Sequence, residues 1–382
     1  LNYEIVGRMP EKDLCLLRVR SPKPFASIAL GRSHDLMTGE PILCAGNPGG
    51  RGIVYSSGIV SSPNFILTAP NALVMRYFSA DVRDRYVQFD AASNQGNSGG
   101  PLINALGEQV AVVSNKSQDE ENINFAIPID RVRENLDELF APEVRKGFST
   151  GLIIASLANK AEVAQVKKGS PANKLDLLPG DLILRVDGKP INQQLDWLAT
   201  LLGHKAGDEL KLTVSRDKKK RQVILKLGLY PSPPTAKVKD PKPGLLFQVC
   251  HGRFDSAPDL NEQTVVKKGV AKALDVLAMG SPKTDEFAIK LEGFLKIPAD
   301  GVYRLILNSD DGSLLRIGNQ VVVDNDGPHP ARDVGTLFRL RKGYLPIRID
   351  YFEATGDAEL SFFIEDGSGK RFPAAPLFFH SN

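Results

Sequence analysis

The chain is poor in cysteine and histidine, carries no excess of either charge, and contains no apolar run of membrane-spanning length. Its three cysteines, Cys15, Cys44 and Cys250, are too scattered for a disulfide framework and lack CxxC metal spacing. They read as small buried apolar residues. A net charge of +3 gives no long-range field to hold nucleic acid or an anionic membrane. The one local basic run, Arg216 to Arg221, reads as the tip of an exposed hairpin. No stretch reaches the roughly 20 apolar residues of a bilayer helix, and no repeat of solenoid period occurs. The opening at Leu1 is already strand-like, which suggests a piece of something longer, so no signal-peptide statement follows.

What is present divides into segments. The 382 residues, 42% of them hydrophobic, fit two or three domains. Up to residue 146, short runs such as "DLCLLRV", "PILCAG" and "QVAVVS" alternate with Gly, Asn and Ser turns, as in an all-β barrel. "DRVRENLDELF" closes that segment with helical spacing. Residues 147–229 mix strands with two short helices. Residues 230–243, rich in Pro and Lys, read as an extended solvated linker. Residues 244–382 return to strands, with "FAIKLEGFLKI", "GVYRLILNS" and "YLPIRIDYF" as the clearest. The fold class expected is mainly β and multidomain.

"SNQGNSGGPLIN" places Ser98 among glycines. Acyl transfer by serine needs a hydroxyl on a tight turn, backbone N–H groups aimed at an oxyanion, and a base. Glycines at 96, 99 and 100 can supply the first two. Taken alone, the string is equally a plain turn. Three further stretches, "EKDLCLLRV", "GNPGGRGIVYSSGIVSS" and "INFAIPID", appear with it in the same order, and together they resemble the HtrA/DegP branch of trypsin-like serine proteases over residues 1 to about 139.

That resemblance implies a partial double β-barrel with Ser98 as nucleophile and Asp13 as the triad acid. It places the oxyanion hole at the backbone N–H groups of Gly96, Asn97 and Ser98. It puts Ala92 at the base of the specificity pocket with Val113 beside it, implying cleavage after small or medium aliphatic residues. The family's histidine precedes its aspartate, whereas all five histidines here, His34, His204, His251, His329 and His380, follow Asp13. His34 reads as a surface loop residue. The barrel is therefore expected to lack its opening strands, and this chain as given is expected to be inactive as a protease.

"KKGSPANKLDLLPGDLILRVDGKPI" resembles a PDZ domain of α+β type, which takes an extended peptide as an added strand. The resemblance implies a peptide site at Thr150, Gly151, Leu152 and Ile153. Leu195, Leu198 and Leu202 have helical spacing and suit either the core or a side-chain pocket. The last segment resembles the carbohydrate-binding β-sandwich named after anthrax protective antigen. In glycan-binding members an aspartate pair, here Asp310 and Asp311, holds Ca²⁺, while Asp-Asp-Gly alone also makes a good turn. Asp324, Asn325 and Asp326 form a second acidic loop that could add ligands or only shape a turn.

The combination implies a periplasmic, cell-envelope or extracellular serine endopeptidase that needs no cofactor for proteolysis. Unfolded proteins or C-terminal tails would be its substrates, glycans further partners, and a homo-oligomer its assembly. A non-catalytic adaptor binding peptide and glycan is the alternative.

Overall fold

The computed structural model describes residues 2–23, 25–66, 85–116, 123–260, 263–280 and 285–381. Strands β1 (Tyr3–Met9) and β2 (Leu14–Val19) form an antiparallel ribbon. The 3₁₀ turn Pro10–Lys12 joins them and ends at Asp13 in the left-handed region, φ 53°. Tyr3 pairs with Val19 and Ile5 with Leu17. Cross-strand partners share a face, so these four side chains make one apolar patch, respectively 67%, 39%, 54% and 49% exposed.

Strands β3 (Pro41–Gly46), β4 (Val54–Ile66), β5 (Arg85–Phe89), β6 (Pro101–Asn104), β7 (Gln109–Lys116) and β8 (Asn124–Pro128) close a barrel in the order β3-β4-β5-β8-β7-β6. Val60, Phe89, Leu102, Val110 and Ala126 fill it with no exposed surface. The described part of the first unit is thus one closed barrel and one ribbon. Cys44 and Cys250 are buried, but Cys15 is exposed on the ribbon, because a two-stranded ribbon covers only one of its faces.

The expected helix over 130–140 is broken at Asn135, whose side-chain amide donates to the Arg131 carbonyl at 2.7 Å. It becomes Ile129–Glu134 and Leu136–Phe140, followed by Pro142–Lys146. Leu136 and Phe140 join the core of the second unit with Phe148, Trp197 and Leu198, so that unit's packing begins before residue 147. Its strands are β9 (Phe148–Ser149), β10 (Leu152–Ile154), β11 (Val163–Val166), β12 (Leu182–Val186), β13 (Lys189–Pro190), β14 (Glu209–Arg216), β15 (Lys219–Lys226) and β16 (Gly228–Leu229). The sheet runs β13-β12-β14-β15, with β10-β11 and β16-β9 as separate ribbons. The basic run does form the β14–β15 turn, with Asp217 and Lys218 both at positive φ. Arg216 and Arg221 nevertheless fold back onto Asp181 and the Asp176 carbonyl.

The third unit packs two sheets face to face. Strands β17 (Lys242–Pro243), β18 (Leu245–His251), β19 (Val265–Ala271), β20 (Phe287–Ile297), β22 (Ser313–Ile317), β23 (Gln320–Asn325), β25 (Gly343–Glu353) and β28 (Phe378–His380) form one sheet. The other runs β24 (Arg332–Leu340), β21 (Gly301–Asp310), β26 (Glu359–Glu365) and β27 (Arg371–Pro373). Leu291, Leu295, Leu305, Leu307 and Ile349 meet between them with no exposed surface. The Pro/Lys segment is pinned to the third unit. Ala236 N–H donates to the Tyr344 carbonyl at 2.7 Å, and Lys242–Pro243 pairs with β28.

One buried ion cluster ties this sandwich to the first unit. Arg304, 5% exposed, donates to the Arg8 carbonyl at 2.9 Å and the Gly335 carbonyl at 3.0 Å. It also bonds Glu11 in the turn before Asp13 and lies 3.5 Å from Glu138. Burial pushes both glutamates' pKa values up, and Arg304 pulls them back. Removing the cation leaves Glu11, with 10% of its side chain exposed, and half-buried Glu138 without their main counter-charge, so Arg304→Ala is expected to cost about 3 kcal/mol. Thermal melting and faster proteolytic nicking around residues 8–13 check this.

Candidate active site

The turn carrying Ser98 is held by backbone contacts with β7. Gly99 N–H donates to the Val113 carbonyl at 2.7 Å and Val113 N–H to the Gly100 carbonyl at 2.9 Å. Gly96 needs φ +110°, and a Cβ on Gly100 would lie 2.2 Å from the Ala45 carbonyl oxygen. Gly100→Ala must therefore move the turn or β3, a strain expected to cost about 1–3 kcal/mol. Chemical denaturation of the variant measures it.

Ser98 is exposed, and its Oγ donates to the Ser114 carbonyl at 2.9 Å. Ser114, 8% exposed, donates its own hydroxyl to Asp13 Oδ2 at 2.6 Å. One residue thus joins the two expected catalytic side chains, which lie far apart in sequence. Ser114 was not singled out in the sequence, where it reads as the polar end of "QVAVVS".

The expected oxyanion set is corrected at one position. Asn97 N–H is already donated to the Asn94 carbonyl at 3.0 Å, leaving Gly96 and Ser98 N–H without partners among the described residues. Val113 is corrected as well: its side chain is 2% exposed within the barrel core, so its contribution here is the backbone pair that holds the turn. Ala92 is exposed, and its carbonyl accepts the Ser56 hydroxyl at 2.7 Å.

Among the described residues, no hydrogen bond joins a histidine to Ser98 or Asp13. His34 is held by Asp130, ring Nδ1 to Oδ2 at 2.7 Å, with its own N–H on the same oxygen at 2.9 Å. His204 lies 3.5 Å from Asp208, while His251, His329 and His380 belong to the third unit.

In the second unit, Thr150 is fully buried and Leu152 7% exposed, while Ile153 is half-buried on β10. Thr150 N–H donates to Glu143 Oε1 at 2.9 Å, and its hydroxyl bonds the same oxygen. That hydroxyl in turn accepts the Leu152 N–H at 3.0 Å. Gly151 sits at φ +79° against the Ser170 side chain. Leu198 is a core residue, with half-buried Leu195 and Leu202 packed on the same cluster.

In the third unit Asp310, Asp311 and Glu353 bring carboxylate oxygens within 4.8 Å of one another. Asp311 accepts the N–H groups of His329 and Ala354, both at 2.9 Å. Glu353 has no exposed surface; one oxygen accepts the Tyr351 hydroxyl at 2.8 Å, and the other makes no full hydrogen bond among the described residues. Burial and then the Asp311 charge push Asp310 up to about 6. Burial, helped by both aspartates, pushes Glu353 up to about 7. Glu353 was missed in the sequence, where it is only the last residue of an apolar strand. The second acidic loop is spent on structure. Asn325 bonds Ser309 and Arg332, at 2.9 and 2.7 Å, and Asp326 accepts the Ala257 N–H at 2.8 Å. Asp324 accepts the Asp326 N–H at 3.2 Å.

A barrel whose Ser–Gly turn is coupled to an aspartate defines a trypsin-like peptidase unit. The trypsin-like peptidase domain family matches residues 2–112, the PDZ domain family residues 134–227 and the PA14 domain family residues 243–370. The chain is 32% identical over 248 residues to a "Probable periplasmic serine endoprotease DegP-like" of Ectopseudomonas mendocina (strain ymp), covering 60% of this chain and 49% of that protein. Identity to the protein of the same description from Pseudomonas putida (strain GB-1) is 34%, over 60% of this chain and 49% of that one. The solved structure "HtrA-type protease AlgW with decapeptide" is 29% identical, with a TM-score of 0.31, covering 60% of this chain and 72% of that one. Family matches thus give the chain a trypsin-like peptidase, a PDZ and a PA14 domain, and over its first two units it is similar to HtrA-type serine proteases. It spans about half the length of the curated relatives it matches.

Proposed function

We propose that this chain is the nucleophile-bearing part of an HtrA-type serine endopeptidase that acts outside the cytoplasm on unfolded or extended polypeptide. The observation that carries this reading is Ser114, bonded to Asp13 through its hydroxyl and to Ser98 through its carbonyl. Ser98 Oγ attacks the scissile carbonyl, and the Gly96 and Ser98 N–H groups receive the developing oxyanion. Asp13 orients and stabilises a histidine that takes the serine proton and returns it to the leaving amine. That histidine comes from polypeptide layered on the exposed face of Tyr3, Ile5, Leu17 and Val19, an apolar patch that water leaves uncovered at a cost. Hydrolysis of unfolded casein, with and without a histidine-bearing segment ahead of Asp13, tests the reading. No helix among the described residues is long and apolar enough to cross a membrane.

The PDZ unit accepts an extended apolar segment along the free edge of β10. The PA14 unit takes Ca²⁺ at Asp310, Asp311 and Glu353, and through it glycan hydroxyls. Clustered hard oxygens suit that cation, and the buried oxygen of Glu353 that makes no full hydrogen bond among the described residues is the feature that most calls for one.

A further inference from the structure

We propose that Glu143 determines what the PDZ unit binds: its carboxylate already takes the Thr150 donors of the loop 149–152, so the groove gains nothing from a terminal carboxylate and accepts internal extended segments as readily as chain ends. This rests on the peptide-docking reading above. The loop 149–152 already binds a carboxylate, that of Glu143, a residue of the helix Pro142–Lys146. Both donors of Thr150, N–H and hydroxyl, point at Glu143 Oε1. The hydroxyl also accepts the Leu152 N–H. Thr150 has no exposed surface, and the Ser170 side chain closes over Gly151, where an added Cβ would meet its Oγ at 2.0 Å.

A second carboxylate arriving here would meet a like charge and find the Thr150 and Leu152 donors already engaged, and both terms disfavour it. An internal segment brings no charge to that spot. It needs only a strand edge and apolar cover. β10 uses one edge on β11, and no strand pairs with its other edge among the described residues. Half-buried Leu195 and Leu202 pack on the same core cluster as Leu152 and Ile154 of β10.

The test uses the whole chain and one aliphatic-ended octapeptide, as free acid and as C-terminal amide, titrated by fluorescence anisotropy. The wild type is expected to bind both forms with dissociation constants within about twofold. Glu143→Ala, which empties the position, is expected to favour the free acid by tenfold or more, about 1.4 kcal/mol. A wild type that already prefers the acid tenfold, or an alanine variant that binds acid and amide alike, overturns the proposal. Hydrogen exchange at the Thr150 amide provides a readout independent of peptide. It is expected to accelerate at least tenfold in Glu143→Ala with the melting curve retained, and unchanged exchange also overturns the proposal. If neither protein binds either peptide while exchange does accelerate, the peptide-docking reading fails and the assignment of Glu143 to the loop stands.

Discussion

Unfolded casein incubated with this chain alone is expected to stay essentially intact, whereas a form carrying a histidine-bearing segment ahead of Asp13 cleaves it about a millionfold faster. Ser98→Ala in that form is expected to abolish the difference. The serine hydroxyl stays protonated at neutral pH, and here its hydrogen is directed at the Ser114 carbonyl, 2.9 Å away, a group that cannot remove it. Asp13 is turned to Ser114 at 2.6 Å, so neither acid nor serine has an imidazole between them. What remains is the pair of free N–H groups at Gly96 and Ser98. In serine proteases stripped of a triad member such donors, with substrate binding, leave about 10³ to 10⁴-fold over water. Serine-independent cleavage, or a folded histidine-bearing form without activity, would favour the adaptor reading over the endopeptidase.

Where local sequence and tertiary packing agree, the fold was legible. Strands β3 and β20 match the runs "PILCAG" and "FAIKLEGFLKI" residue for residue, because alternation and turn residues mark both ends. Helical spacing over 130–140 could not show the break at Asn135, because a side-chain amide bonding a carbonyl within the turn leaves apolar periodicity intact. Ser98 and Asp13 were found through family-like strings, yet their coupling depends on Ser114, a contact across 101 residues of sequence that no local pattern encodes. Val113 was assigned to a pocket, but strand alternation turns it into the barrel core. Glu143 and Glu353 escaped notice for one reason: a lone carboxylate beside apolar residues reads as a solvated position until the fold buries its partners around it.

In chelator at pH 8, Glu353→Gln is expected to leave the PA14 domain as stable as the wild type or more so, whereas in calcium the same variant is expected to lose the stabilisation the wild type gains. Burial first, and then repulsion among three carboxylate oxygens within 4.8 Å of one another, pushes the folded pKa of Asp310 up to about 6 and that of Glu353 up to about 7. Both lie above the unfolded values of about 4. Cation-free stability is therefore highest below about pH 4 as far as these groups are concerned, and is lost as pH rises through 6 to 7. At pH 8 the penalty is complete, and a neutral amide at 353 removes part of it while keeping the shape and an acceptor for the Tyr351 hydroxyl. Calcium at a hundred times its dissociation constant would add about 2.7 kcal/mol to a folded state that alone binds it, a rise in Tm on the order of 10 °C for a domain of this size. The variant, one carboxylate short, should forfeit most of that rise, and Asp310→Ala should forfeit it too. The opposite signs in chelator and calcium separate a cation site from a turn: a structural turn would make Glu353→Gln destabilising in both solutions, and an unchanged wild-type Tm in calcium would end the assignment.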